Sequence, residues 1–353
     1  MLVPLLAVAA VLALPSSAAP DPTASLTLRQ LAGQRLIVGY PGGPLPAWLV
    51  RWVRRGELAG VIIFSRNAGS RARLRRDIRR LQRLRRPSGL RAPLLVMTDQ
   101  EGGRVKRLPG APRRSPAELG RVGSRSLARA EGRATARNLR GVGINVDLAP
   151  VMDLGRRGGF QRRTQRSYAR RSRIASAIGS AFVRGLQRRR RVAATLKHFP
   201  GIGAALGNAD LSSQRIGLSR AALRRADERP FAAGVRAGAR LVMTSTAVYP
   251  AFSRAPAVLS GRLSRRELRG RLGFRGVTIT DSLGVRSLHP WGGPGRLAVR
   301  AARAGNDLLL FTSGDLAAGA GRWLRAALRN GRISRRSARD SVRRVLELRA
   351  ALR

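Results

Sequence analysis

Short apolar runs recur along the chain, separated by longer stretches in which apolar residues fall at helical spacing among arginines. The runs at 36–39, 60–64, 94–98, 144–148, 193–198, 241–245, 277–280 and 308–311 predict eight strands. The stretches between them, such as 218–239 and 263–272, place apolar side chains three and four residues apart and predict amphipathic helices. Strands alternating with helices describe a parallel sheet built from βαβ units, and eight units are what a closed (β/α)8 TIM-type barrel needs. No Ser/Gly linker or internal repeat divides the chain. Residues 26–353 therefore read as one α/β domain, with 333–352 as a C-terminal helix capping the bottom or side of the barrel.

The polar residues that interrupt this pattern fall at telling places. Asp99 follows the third run directly, Asp147 and Asp153 bracket 148–152, His198 ends the fifth run and Asp281 follows the seventh. In an α/β barrel the C-terminal strand ends converge on one face, where active sites are built. A lone acid there is ordinarily a helix N-cap. A set drawn from only 18 acids predicts a polar constellation at the barrel mouth.

Composition narrows the chemistry. The chain has 353 residues and no cysteine, which excludes disulfides, thiolate metal sites and cysteine nucleophiles. With only His198 and His289, a multi-histidine zinc site is disfavoured. Lysine and arginine number 70 against 18 acids, a formal net charge of +52, yet only Lys106 and Lys197 are lysines. The arginines are spread through helical stretches rather than gathered in a tail, and so read as solvated faces. Aromatics are only 4%, which leaves little for base stacking, so no specific nucleic-acid partner is expected. Weak association with anionic cell-wall polymer would follow from the charge alone. The apolar run at 2–14 is too short to span a bilayer and ends in small residues, so 1–19 reads as a secretory signal cleaved near Ala18 or Ala19. The alternative is a buried N-terminal helix. No later segment reads as transmembrane, and the expected location is extracellular or cell-wall associated.

Four motifs then stand in order: Thr98-Asp99-Gln100-Glu101-Gly102-Gly103-Arg104-Val105; Asn145-Val146-Asp147-Leu148-Ala149-Pro150; Lys197-His198-Phe199-Pro200-Gly201; and Gly273-Phe274-Arg275-Gly276 leading to Asp281. Together they resemble glycoside hydrolase family 3 over about residues 26–350. The likeness is greatest to the family's single-domain β-N-acetylglucosaminidases. Pro200-Gly201 after Lys-His-Phe favours that branch over the β-glucosidases. The resemblance implies a retaining mechanism on an amino-sugar glycoside, with a carboxylate forming a covalent glycosyl-enzyme, and no cofactor or metal. It matches Asp281 to the nucleophile and Asp99, Arg107, Arg166, Lys197 and His198 to the sugar-binding positions.

The chain departs from the family at one point. Familiar members carry Asp-Ser-His in the loop after this third motif, with the histidine as acid/base. Here the matching residues are Asp210-Leu211-Ser212, so Ser212 stands in the histidine's place. A serine hydroxyl is far too weak an acid to serve near neutrality. Three readings remain open from sequence: Asp210 is itself the acid/base, Glu101 or His289 substitutes for it, or the protein is a slow hydrolase or non-catalytic sugar binder.

Overall fold

The computed structural model describes residues 21–189 and 191–352, so the expected signal at 1–19 lies outside the described residues. Eight parallel strands form the barrel: β1 (Leu36–Gly39), β2 (Gly60–Ile63), β3 (Leu95–Thr98), β4 (Val146–Asp147), β5 (Ala193–Phe199), β6 (Leu241–Thr244), β7 (Val277–Thr280) and β8 (Leu309–Phe311). Each strand pairs with the next in sequence through β7, in registers such as Val61↔Val96, Thr98↔Asp147 and Met243↔Ile279. Closure comes at β8. It pairs with β1 at Leu36↔Leu309 and meets β7 through the parallel bridge Ile279↔Leu308. The bonds Thr280 N→Leu308 O at 3.0 Å and Leu283 N→Leu310 O at 2.9 Å complete this seam. All eight predicted strands are present, and the expected barrel is the observed one.

The strands read as unbroken apolar runs because both of their faces are buried. Ile37, Ile62, Leu95, Met97, Leu241 and Ile279 fill the barrel interior. Their neighbours Val38, Val61, Val96 and Val242 point outward against the helices. The predicted C-terminal helix is Arg335–Ala350, and it closes the bottom: Val345, Leu348 and Leu352 belong to the interior cluster. Arg349 is fully buried there, donating to Pro93 O at 2.8 Å and Leu90 O at 2.9 Å, and also to Ala92 O and Gln34 Oε1. These bonds fasten the helix to the N-terminal end of the barrel.

Two local departures concern helices. The stretch predicted as one helix at 218–239 contains Arg220–Ala222 and Glu228–Arg236 joined by a π-helical turn, Leu223–Asp227. The one at 263–272 is π-helical throughout Arg262–Arg271. Apolar spacing of three and four residues does not separate these wider turns from an α-helix. Among the described residues no helix is long and apolar enough to cross a membrane.

Candidate active site

Three chain segments carry the polar groups to the C-terminal face. The first leaves β3 at Asp99 and doubles back through a short hairpin, Gln100–Gly102 with Val105–Lys106. Gly102 turns at φ +97°, and a Cβ there would lie 2.4 Å from Arg114 O, so only glycine fits. The Gln100 side chain braces the return by accepting from Arg107 N and Leu108 N, both at 3.0 Å, which brings Arg107 to the cleft. Arg166 arrives from the loop after β4. It follows Gln165, whose φ of +59° is left-handed and turns the chain sharply before it. Lys197 and His198 sit on β5 itself, where the Lys197–His198 and Phe199–Pro200 peptides are both cis.

The buried half of the site is an ion network. Lys197 Nζ lies 2.6 Å from Asp99 Oδ1 and 2.7 Å from Glu101 Oε1. Arg166 grips Glu101 with two bonds of 2.8 Å, and Arg107 approaches Asp99 Oδ2 at 3.6 Å. Burial alone would raise the Glu101 carboxyl, but Arg166 and Lys197 outweigh it and hold its pKa well below the usual carboxylate range. Lys197 is likewise held charged: burial opposes its charge, and Asp99 and Glu101 prevail. His198 is oriented from behind. Its Nδ1 lies 2.7 Å from Asp153 Oδ2, while Asp153 Oδ1 accepts from His198 N at 3.1 Å and Ile202 N at 2.9 Å. Its Nε2 then faces Asp281 Oδ2 at 3.9 Å.

Asp281 leaves β7 with its own N–H bonded to Thr244 O at 3.0 Å and its Oδ1 accepting from Ser282 N at 2.8 Å. Across the cleft stands Asp210, on a loop shaped by Asn208: Asn208 Oδ1 accepts from Asp210 N at 3.0 Å, and Asp210 O accepts from Ser287 N at 3.2 Å. The loop leaves Asp210 exposed at the mouth. Even so, the surrounding walls desolvate its carboxyl. This effect, followed by the negative charge of Asp281, pushes its pKa up to about 6, against the pull of His198 and Arg166. The arginine-rich composition pointed the other way; burial and a second carboxylate decide the sign.

These groups line one cavity of about 350 Å3. Asp99, Arg107, Arg166, Lys197, His198, Asp210 and Asp281 all contribute to it, with Phe64, Leu148 and Met243 among its apolar walls. Ser212 does not line it; its hydroxyl accepts from Gln214 Nε2 at 2.8 Å on the exposed side of the loop. His289 is exposed and also outside the cavity. Asp147 and Asp153, expected at the mouth, are fully buried instead. Asp147 accepts from Gln100 N at 3.1 Å, and burial raises its pKa well above the usual value. Asp153 as the anchor of His198 was not foreseen; its position after a strand was the only signal. Among the described residues no cluster of three or more His, Asp or Glu is arranged to hold a metal ion.

The model of the glycosyl hydrolase family 3 N-terminal domain matches residues 44–348. The chain belongs to glycosyl hydrolase family 3. Among its relatives in family 3, a protein of Arthroderma benhamiae named an uncharacterized secreted glycosyl hydrolase is 36% identical over 95% of this chain and 97% of its own. A β-hexosaminidase of Stenotrophomonas maltophilia is 35% identical over 80% of this chain and 84% of its own. The solved structure of a family 3 β-N-acetylglucosaminidase from Paenibacillus superposes with a TM-score of 0.87 at 33% identity. It shares 93% of this chain, which spans only 63% of the Paenibacillus one. The barrel is thus the part shared with the Paenibacillus protein.

Proposed function

We propose that this protein is an exported, retaining exo-glycosidase that releases terminal β-linked N-acetylglucosamine, with peptidoglycan fragments as its source. The observation that carries the reading is the pairing of two unlike carboxyls across one cleft. Asp281 is bonded to a backbone N–H and backed by His198, and Asp210 is lifted to a pKa of about 6. Two carboxyls whose surroundings set them apart are what a retaining glycosidase requires. Relatives named β-hexosaminidase and β-N-acetylglucosaminidase support the choice of sugar. The apolar N-terminal run and a relative named as secreted support export.

In this reading Asp99, Arg107, Arg166, Lys197 and His198 hold the hydroxyls of one sugar ring through charged hydrogen bonds. An Asp281 oxygen attacks the anomeric carbon as the glycosidic bond breaks, and protonated Asp210 gives its proton to the departing oxygen. The resulting ester removes the charge of Asp281. That takes away the second largest influence raising the Asp210 pKa, while His198 and Arg166 still lower it. Asp210 thereby becomes the base that takes a proton from water as water releases the sugar. Glu101 is excluded as the donor by its two cation partners, and His289 by its position.

Comparing turnover of nitrophenyl N-acetyl-β-glucosaminide with that of nitrophenyl β-glucoside tests the substrate. Preference for the amino sugar is expected. Preference for the glucoside would move the protein to the β-glucosidase reading, and turnover of neither would make it a binder.

A further inference from the structure

A second concentration of charge lies at the opposite end of the barrel. A cavity of about 540 Å3 opens between the helix Arg335–Ala350 and the elements leading into β7 and β8. Half of its lining residues are arginines: Arg265, Arg269, Arg303, Arg332, Arg336 and Arg344. Six guanidinium groups around one concavity of this size can converge on a single polyanion, which arginines scattered over a convex helix face cannot. The acids nearby are already engaged. Buried Asp307 takes Arg269 at 2.5 Å and Arg344 at 2.8 Å, and Asp340 takes Arg343 at 3.1 Å. Arg265 donates to the carbonyl of Arg303. The guanidiniums of Arg303, Arg332 and Arg336 make no hydrogen bond or ion pair with any described residue.

We propose that this cavity binds a multiply charged phosphate chain, either polyphosphate or a base-free phosphodiester polymer. The guanidinium fork matches phosphate oxygens with paired bonds, and three free guanidiniums demand more negative charge than one carboxylate brings. The hydroxyls of Ser334 and Ser337 line one wall, Ser334 Oγ also accepting from Ser337 N at 3.2 Å. Among the described residues no aromatic side chain lines the cavity, so nucleic-acid bases have no surface to stack on. A polymer held here would leave the mouth at the other end free for substrate. The proposal is independent of the reaction assigned to that mouth.

The test is calorimetric titration in about 0.15 M salt. The ligands are sodium tripolyphosphate, poly(glycerol phosphate) and oligodeoxythymidylate. The wild type is compared with the triple variant Arg303→Gln, Arg332→Gln, Arg336→Gln. A control triple, Arg75→Gln, Arg79→Gln, Arg83→Gln, removes the same charge from the exposed face of the helix Arg71–Arg83. The first triple is expected to lose at least about tenfold in affinity for tripolyphosphate and the control less than about twofold, since direct phosphate contacts outweigh general charge. The same pattern with poly(glycerol phosphate) would identify a phosphodiester polymer as the ligand; its absence there would identify polyphosphate. Equal losses in both triples, or tightest binding of oligodeoxythymidylate, would overturn the proposal.

Discussion

Replacing Asp210 with Asn removes a proton donor while leaving its loop intact. The backbone there is held by the Asn208 turn and by Ser287 N–H, neither of which uses the Asp210 carboxyl. With a pKa of about 6, roughly a tenth of Asp210 molecules carry a proton at pH 7. At the ordinary aspartate value the protonated share would be about a hundredfold smaller. General-acid assistance is worth about 100- to 10,000-fold where the leaving group is poor. The expected outcome is therefore a loss of that order in kcat/KM on an unactivated disaccharide. The nitrophenyl glycoside, whose leaving group needs little protonation, loses far less. The wild-type profile on the disaccharide should fall tenfold per pH unit above about 6, and the variant should lack this limb. Parallel stopped assays of both substrates from pH 4.5 to 8.5 decide it. Equal losses on both substrates, or a limb near pH 6 that survives in Asp210→Asn, would refute the role.

Three further outcomes follow from the packing. Glu101→Gln removes the shared counter-ion of Arg166 and Lys197, and should cost about 3–5 kcal/mol in a urea titration and raise KM. Because the folded pKa of Glu101 is lowered, its contribution is present above the unfolded value and is lost only as pH falls toward the folded one; the variant should therefore destabilise less steeply in strong acid. Asp153→Asn takes the buried carboxylate from behind His198, so kcat/KM should fall about ten- to a hundredfold and stability by about 1–3 kcal/mol, given the strength of charge-assisted bonds. Leu348→Ala hollows the barrel bottom and should cost about 2–5 kcal/mol, read by thermal unfolding, with kcat unchanged.

The barrel was legible because its strands are buried on both faces, which writes each as an apolar run between amphipathic stretches. The C-terminal helix was legible, with the bottom or the side of the barrel as its place, but what fastens it at the bottom was not: Arg349 looks like one arginine among many until four acceptors are seen around it. At the mouth, sequence position brought out Asp99, His198 and Asp281, because a polar residue after an apolar run is conspicuous. It did not separate groups that face the cleft from those that turn inward. Asp147 and Asp153 look the same in sequence as Asp99, yet both are buried. Ser212 and Asp210 lie two residues apart, and only the Asn208 turn decides which one lines the cavity. The Asp210 pKa was the least legible, since it depends on Asp281, 71 positions along the chain and on another loop.

The role most open to direct test is that of the Asp281 carboxylate as the group that bonds to sugar. Brief incubation with an activated, fluorinated N-acetylglucosaminide that forms its ester quickly and loses it slowly, followed by proteolysis and peptide mass mapping, reads this directly. One sugar on the peptide containing Asp281, absent from Asp281→Asn, is the predicted result. A sugar on any other carboxylate, or full turnover by Asp281→Asn, would contradict it.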